Sequence, residues 1–269
     1  MIRLQVASCS EIGARSHNED ESRHGSSRNG CYAVLCDGAG GHRRGAEAAD
    51  RAAERIESML RDDAMAFSPA NLTQTVRLAH AELQHHQPSD DPGERMHCTV
   101  VVLWIDPDAE HALWTHVGDS RLYRIRQGRV DVVTSDDSVV QRLLQAGVIT
   151  AGQMKTHPQK HQLMAALGIE GEIEPHTVVR PVELIEGDAF LLCSDGWWDH
   201  FEASALAEAL ARALSPQQWL QEMALKIVAA AAPRQDNYSA IAVWAGDPTE
   251  VTRTGADDTR PRLREGSSP

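Results

Sequence analysis

The sequence predicts an α+β fold in which antiparallel sheets are covered by helices on their outer faces. Four short runs rich in Val, Ile, Leu and Trp follow one another between residues 99 and 134 with only short turns between them. Such short turns join antiparallel strands, whereas parallel strands need long crossovers, so a doubly wound parallel sheet is disfavoured. Helical patterns lie on both sides of this block, two long ones before it and two near the end.

Eight apolar runs of strand length support the sheets of this fold. They are rich in β-branched and aromatic residues and are bounded by turn residues. Two of them end just before an Asp-Gly pair. The predicted strands are Ile2–Ser8, Cys31–Cys36, Thr99–Ile105, His111–Val117, Leu122–Arg126, Val130–Thr134, Ala189–Cys193 and Tyr238–Trp244.

The outer layers are predicted from apolar residues at helical spacing and from start and stop signals. A short helix is expected between the strands, because Asp136 or Asp137 can cap its start and Gly147 can end it after Gln145. Pro at the first turn opens two of the long helices. The long helices with assigned bounds are Gly45–Arg61, Pro69–His86 and Pro216–Ala231.

Composition and charge exclude several classes of partner. The chain has 269 residues and a formal net charge of −13, so a nucleic-acid backbone is not an expected partner. No run approaches the roughly 18 apolar residues of a membrane span, and the first residues are too polar for a signal peptide. The five cysteines never occur in CxxC spacing, which predicts reduced, buried thiols in a cytoplasmic protein.

Acidic residues recur at the ends of the predicted strands or beside glycine. A carboxylate in such a place is costly unless it is paired or bound to metal, and nearby basic residues are too few to pair all of them. Hard cations such as Mg²⁺ and Mn²⁺ bind oxygen ligands of this kind. Any one Asp-Gly is typical of a turn, but six acids in five such settings favour a metal site. These acids are Glu19, Asp20, Asp37, Asp119, Asp195 and Asp236.

Glycine follows two of these acids, at Gly38 and Gly196. Because glycine has no side chain, we expect it to let a backbone carbonyl approach a metal. Nucleotide-binding loops do not fit: the Lys-Ser/Thr pair of a P-loop is absent, and Arg43 stands at the last glycine of the dinucleotide fingerprint. Zinc ligation by His157 and His161 is not expected, because a proline lies between them.

Eight motifs follow one another between about residues 5 and 246. They are RSHNED, DGAGGHRRGAEAA, HCTVVVL, VGDSRLYRI, TSDDSVVQRLLQAGVI, HP before LMAALG, EGDAFLLCSDGWWDHF and RQDNYSAIAVWA. Each alone is weak, but in this order and spacing they resemble the bacterial branch of the metal-dependent protein phosphatases of type 2C. The resemblance implies a central sandwich of two antiparallel sheets with helices outside. It also implies hydrolysis of phosphoserine and phosphothreonine at a binuclear Mn²⁺ or Mg²⁺ site.

The resemblance assigns roles to individual residues of these motifs. Asp37 would bridge both metals, and the second metal would also be held by the Gly38 carbonyl and by Glu19, directly or through water. Arg15 would clamp the phosphate with its planar fork. The remaining implied ligands are Asp195 and Asp236 on the first metal, Asp20 beside Glu19, and Asp119 with Asp195 on a third, looser metal. The implied catalytic residues are Arg15, Asp37, Asp195 and Asp236.

In the implied mechanism, two metals roughly 3.5–4 Å apart activate a bridging water for in-line attack on the phosphate. No cysteine has a catalytic role in it. Asn237, after the last ligand acid, would orient Asp236. The chain departs from the family pattern at Ala39 (usually Met or His), Cys98 (usually Thr), Asp137 (often His) and the bulky pair Trp197-Trp198. Because no ligand acid is lost, we interpret these departures as tuning of substrate access, whereas a Trp pair is more often part of a core than a binding platform.

The predicted organisation is a catalytic domain at residues 1–246 and a disordered tail at 247–269. Residues 87–94 are also expected to be disordered, and 147–174 are expected to form a flap beside the site. The expected partners are phosphorylated proteins and a cognate Ser/Thr kinase, with no nucleic acid or membrane, for a chain acting as a monomer. Two alternatives stay open: a pseudo-enzyme that uses the fold only for binding, and a hydrolase of small phosphate esters, which would share every ligand.

Overall fold

Ten strands form two antiparallel sheets of five strands each in the computed structural model, which describes residues 2–39, 44–87, 91, 94–230 and 233–249. The first sheet has the order β1 (Leu4–Glu11), β10 (Tyr238–Ala245), β9 (Ala189–Cys193), β6 (Arg121–Arg126) and β7 (Arg129–Val132). The second has the order β2 (Asp20–Ser27), β3 (Gly30–Asp37), β4 (Val100–Asp106), β5 (His111–Val117) and β8 (Val182–Glu183).

Helices cover the outer face of each sheet. The second sheet is covered by α1 and α2, and the first by α6 and α7. Among the described helices, none has the length and apolar character needed to cross a membrane. The helices are α1 (Gly45–Leu60), α2 (Pro69–His85), α3 (Val139–Gln145), α4 (Ala151–Met154), α5 (Asp195–Trp198), α6 (Ala203–Arg212) and α7 (Pro216–Ala230).

Three buried apolar layers separate these four structural layers. Along β3, Val34 points to the layer shared with α1 and α2, while its neighbour Leu35 points to the layer between the sheets. Along β9, Leu191 faces α6 and α7 and Leu192 faces the other sheet. This alternation follows from the two-residue period of a strand. Both faces of each sheet are therefore buried, and the predicted sandwich with outer helices is confirmed.

Local sequence explains where the helices begin and end. The four alanines of α1 that face the sheet are fully buried, and their small side chains let the helix approach closely. Ser68 caps α2 through the Asn71 N–H, with Pro69 in the first turn. The predicted cap of α3 is wrong: Ser138 accepts the Gln141 N–H instead. Asp136 and Asp137 are engaged elsewhere, Asp136 in an ion pair with Arg121.

Some predictions fall on residues that the structure does not describe. These are the end of α7 at Ala231, most of the 87–94 linker, and residues 250–269 of the tail. Of the tail, residues 247–249 are described, and Thr249 is buried there with its hydroxyl on Asp247. The domain boundary at residue 246 stays a prediction, although the last strand does end at Ala245.

Candidate active site

The acids at the strand ends gather at one end of the sandwich, around a cleft of about 510 Å³. Asp37 ends β3, Asp119 follows β5, Asp195 follows β9, and Asp236 precedes β10. Because neighbouring strands run antiparallel, these ends meet at the same edge of the two sheets. Of the residues predicted to form the site, the cleft wall contains Arg15, Glu19, Asp37, Gly38, Asp119, Asp195 and Asp236.

Asp20 lies behind this wall and is only 8% exposed. Its carboxylate Oδ2 accepts a hydrogen bond from the Ser194 hydroxyl at 2.8 Å. Its Oδ1 is buried and has no hydrogen-bond partner within the described part of the chain. Burial, reinforced by the nearby Asp195 and Asp236 carboxylates, raises the pKa of Asp20 to about 7. A direct ligand role for Asp20 stays a prediction; in the structure it is linked to Ser194, the residue before Asp195.

Like charges crowd the two acids at the centre of the cleft wall. The pKa of Asp37 is raised well above its usual range, first by burial and then by the neighbouring Asp20 and Asp195 carboxylates. Burial and the Asp195 charge raise the pKa of Asp119 in the same way. A divalent cation would offset this repulsion and would satisfy the buried Asp20 oxygen. A set of oxygen ligands with this electrostatic repulsion fits hard ions such as Mn²⁺ and Mg²⁺.

Arg15 and His161 contact the acids from the rim of the cleft. Arg15 Nη2 lies 2.5 Å from Asp236 Oδ2, and the Arg15 side chain is 56% exposed. His161 Nδ1 lies 2.9 Å from Asp195 Oδ2. A compact metal site needs three ligand atoms, one from each residue, that all lie within 4.8 Å of one another. Among the described residues, no three acids of this cluster meet that condition. The acids thus line a wide space, and metal binding would compete with these two contacts.

Asn237 organises the loop that carries Arg15 and Glu19. Its side-chain oxygen accepts the Glu19 N–H at 2.9 Å, and its amide nitrogen donates to the Ile12 and His17 carbonyls at 2.9 Å each. The predicted contact with Asp236 exists, but through the Asn237 backbone N–H at 2.8 Å. The side chain therefore has a role that sequence reasoning missed, because its partners lie more than 200 positions away in the chain.

The glycines after Asp37 and Asp195 are needed for close packing of backbone. A Cβ on Gly38 would lie 2.5 Å from the carbonyl carbon of Gly45, at the start of α1. A Cβ on Gly196 would lie 2.0 Å from the Asn237 carbonyl oxygen. Real Cβ atoms do not approach backbone this closely. These close approaches add a steric reason for both glycines, and metal binding by the Gly38 carbonyl stays a prediction.

Comparison with known sequences identifies the family of this chain. A family model described as Protein phosphatase 2C matches residues 9–230. The chain belongs to the protein phosphatase 2C family. The serine/threonine protein phosphatase PstP of Mycobacterium tuberculosis is 30% identical over 207 residues, 77% of this chain. The protein phosphatase PhpP of Streptococcus pneumoniae is 31% identical over 213 residues, 76% of this chain and 83% of PhpP. The chain spans 39% of the length of PstP.

Solved structures of bacterial phosphatases share the fold over nearly their whole length. The crystal structure of PstP/Ppp from M. tuberculosis has a TM-score of 0.79 and 27% identity, covering 90% of this chain and 99% of that one. The serine/threonine phosphatase of S. agalactiae gives 0.82 and 25%, covering 90% and 100%. The catalytic domain of PstP in complex with two manganese ions gives 0.77 and 26%, covering 91% and 99%.

Most departures from the protein phosphatase 2C pattern lie away from the cleft. Ala39 does line it. Cys98 is buried under α1, with its Sγ 3.6 Å from the Ala48 carbonyl. Trp197 is fully buried in the core, and the half-buried Trp198 donates its Nε1–H to the Asp119 carbonyl at 3.0 Å. The interpretation of substrate access is therefore not supported at these three positions, because their side chains pack inward or against the supporting loop.

The segment predicted as a flap contributes to the cleft. Its residues His161 and Leu163 lie on the wall. Lys160 Nζ lies 2.5 Å from Asp199 Oδ2, and Lys155 pairs with Glu202. These ion pairs hold the segment against the loop after α5. The expectation of a flap beside the site is thus supported, and His161 adds a wall residue that its spacing in the sequence did not reveal.

Proposed function

We propose that the protein hydrolyses phosphoserine and phosphothreonine on other proteins. The reaction would use two Mn²⁺ or Mg²⁺ ions held by the acids of the cleft, with a third ion at Asp119. The observation that carries this proposal is the crowding of carboxylates around Asp37, whose pKa is raised well above its usual range first by burial and then by the charges of Asp20 and Asp195. The names of PstP and PhpP and the manganese bound to the PstP catalytic domain support it.

Each acid would bind particular ions. Asp37 would contact both ions, because it ends β3 at the centre of the cluster, next in register to Asp20 on β2. Asp195 and Asp236 would hold one ion and Glu19 the other, with the Gly38 carbonyl. Such ions supply an activated water and neutralise charge on the leaving oxygen when bound.

Arg15 is positioned to receive the phosphate. Its guanidinium lies on the cleft wall, and its side chain is more than half exposed. The planar fork can donate to two phosphate oxygens at once, which orients the phosphorus for in-line attack. Its link to Asp236, together with the hydrogen bonds of Asn237 to the same loop, sets the height of the guanidinium above the acids.

The thiols are unsuited to an alternative mechanism. All five cysteines are free, and the cleft wall formed by described residues contains none of them. Burial raises the pKa of Cys9 to about 11, which keeps it protonated. We therefore propose a metal-dependent reaction without a phosphoenzyme.

We further propose a catalytic domain at residues 1–246 that acts as a monomer in the cytoplasm and opposes a Ser/Thr kinase. The free thiols support a reducing compartment. The open cleft, rimmed by the flap, suits a phosphorylated loop of a folded protein better than an enclosed small molecule.

Metal removal tests the proposed function on a phosphothreonine peptide. Activity should vanish in excess EDTA and return with Mn²⁺, more fully than with Mg²⁺, which demands near-ideal octahedral geometry. Iodoacetamide on the native protein is the control and should leave activity unchanged. Full activity in EDTA would overturn the metal mechanism. Hydrolysis of p-nitrophenyl phosphate without any peptide hydrolysis would favour the small-ester alternative, and no turnover of either would favour the pseudo-enzyme.

A further inference from the structure

A second cluster of potential metal ligands lies outside the acidic cleft wall. His116, Asp137 and His176 each offer one ligand atom, and these atoms all lie within 4.8 Å of one another. No other group of three or more His, Cys, Asp or Glu in the described ranges is this compact. The three residues come from β5, from the loop before α3, and from the chain just beyond the flap segment 147–174.

His116 has the hydrogen bonding of a metal-binding histidine. It is only 3% exposed, and its Nε2 lies 2.9 Å from the Ser135 carbonyl. The Ser135 N–H approaches the same atom at 3.3 Å. Nδ1 is buried with no hydrogen-bond partner among the described residues, and in the tautomer that donates Nε2–H to the Ser135 carbonyl it carries the lone pair that can bind a metal. Histidine ligands commonly donate their other N–H to a backbone carbonyl in this way.

Asp137 is oriented by the loop that precedes Asp119. Its Oδ2 accepts the Gly118 N–H at 3.0 Å, and its own N–H donates to the Gly118 carbonyl at 2.9 Å. This leaves Oδ1 directed to His176 Nε2, at 2.8 Å. A carboxylate held by one oxygen and presenting the other is the usual arrangement of a supported ligand.

His176 completes the group from the side open to solvent. Its ring stacks on that of His116, with centroids 4.9 Å apart and planes at 24°. Its backbone N–H donates to the His116 carbonyl at 3.0 Å, which fixes its position along β5. Its side chain is 49% exposed, so an ion can enter from this side and keep water as a further ligand.

The donor chemistry differs from that of the acidic cleft. Two imidazole nitrogens and one carboxylate oxygen suit a borderline ion, whereas the cleft offers oxygen alone. Three protein ligands with an open fourth position form a common zinc site. Burial lowers the pKa of His116, which keeps the ring in the neutral form that binds metal.

We propose that His116, Asp137 and His176 bind one Zn²⁺ ion, which ties the end of the flap segment to the core. The bound ion joins β5 to the chain on either side of the flap. Asp137 also accepts the Met164 N–H through its carbonyl at 2.7 Å, so the same residue holds the middle of the flap. Zn²⁺ binding therefore restrains the flap and the loop before Asp119, without contacting the acidic cleft.

Zn²⁺ titration of the protein in a large excess of Mg²⁺ tests this proposal, because Mg²⁺ at high concentration competes with Zn²⁺ for the oxygen ligands of the proposed cleft site. We expect one Zn²⁺ per chain by calorimetry. His176→Ala and Asp137→Asn should each weaken binding by about tenfold or more. Asp137→Asn keeps an oxygen that can accept the Gly118 N–H. His24→Ala, an exposed histidine on β2, is the matched control and should bind like the wild type.

Two readouts separate binding from a structural role of these residues. In the wild type, Zn²⁺ should shift the imidazole NMR signals of His116 and His176 and slow hydrogen exchange in residues 147–176. His176→Ala should lose both effects while its thermal unfolding in EDTA stays close to that of the wild type. The proposal is overturned if no Zn²⁺ binds in excess Mg²⁺, if His176→Ala binds as tightly as the wild type, or if flap exchange is unchanged by Zn²⁺.

Discussion

The Asp-Gly pair that ends β3 and the Asp-Gly pair after β9 share a sequence but not an environment. Asp37 is surrounded by acids, and both burial and their charges raise its pKa. Asp195 instead accepts a hydrogen bond at 2.9 Å from His161 of the flap, and this contact is the main cause of the raised pKa of His161. In each pair the glycine packs against backbone, at the start of α1 for Gly38 and at Asn237 for Gly196.

The two sides of the cleft therefore differ in their charge and in their contacts. The β2–β3 side accumulates negative charge, which favours metal binding. The β9 side connects the acids to the flap segment through His161, which belongs to a loop region rather than to the sheets. The same dipeptide is therefore surrounded by acids in one place and paired with the flap in the other.

Replacing the two acids should give the largest effects. With Mn²⁺ present, Asp37→Asn and Asp195→Asn should each lower kcat/KM on a phosphothreonine peptide by more than about 100-fold, since loss of a supporting residue alone costs 10–100-fold. In EDTA at pH 8 the two should diverge. Asp37→Asn should raise Tm because it removes crowded negative charge, whereas Asp195→Asn should not, because it also removes the partner of His161.

Asp108→Asn, in the exposed turn between β4 and β5, is the matched control and should change neither quantity. Activity of Asp37→Asn within a few-fold of the wild type would contradict the proposed ligand assignment. Equal shifts of Tm in both variants would remove the asymmetry between the two Asp-Gly pairs.

Adding a methyl group to each glycine should give effects of intermediate size. Gly196→Ala places a Cβ 2.0 Å from a carbonyl oxygen, and Gly38→Ala places one 2.5 Å from a carbonyl carbon. Overpacking against backbone costs about 1–3 kcal/mol of unfolding free energy, and we expect the larger loss at Gly196. Urea unfolding checks the order. Gly152→Ala is the control, because its nearest atom would be 4.0 Å away.

Strands flanked by polar residues and built from apolar runs were predictable from the sequence. Ala189–Cys193 and His111–Val117 match β9 and β5 residue for residue, because an apolar run in a sandwich is buried on both faces. By contrast, β2 was missed. Its residues, DESRHGSS, are polar, because it is an edge strand with His24 and Ser26 exposed, and only pairing with β3 makes it a strand.

The acidic cluster could be predicted from the sequence, whereas the second cluster of potential metal ligands could not. Each acid marks a strand end locally, so Asp37 and Asp195 could be found without knowing their neighbours. The group of His116, Asp137 and His176 could not be found in this way, because its members are separated by more than 20 and nearly 40 positions and none sits in a ligand-type motif. Only the pairing of β5 with its surroundings brings them together.

Titration of the metal-free protein should give the most specific effect. Asp20 belongs to the β2–β3 side, and its pKa is about 7 in the folded chain against 3.8 ordinarily. Between about pH 4 and 7 the unfolded chain loses this proton while the folded chain keeps it, so stability falls as pH rises. One group contributes a slope of at most about 1.4 kcal/mol per pH unit. Asp20→Asn should show a shallower slope in EDTA by chemical unfolding.

The β9 side should respond in a different pH window. The raised pKa of His161 means that its contact with Asp195 contributes stability below the ordinary histidine pKa of 6.5, and that this contribution is lost as pH rises through the higher folded value. His161→Gln should therefore remove a small dependence above pH 6.5 and leave the slope between pH 4 and 6 intact. Saturating Mn²⁺ should flatten the Asp20 slope, because the bound charge favours the ionised acids. If Asp20→Asn and His161→Gln altered the same window, the division of the cleft into a side crowded with acids and a side paired with the flap would be wrong.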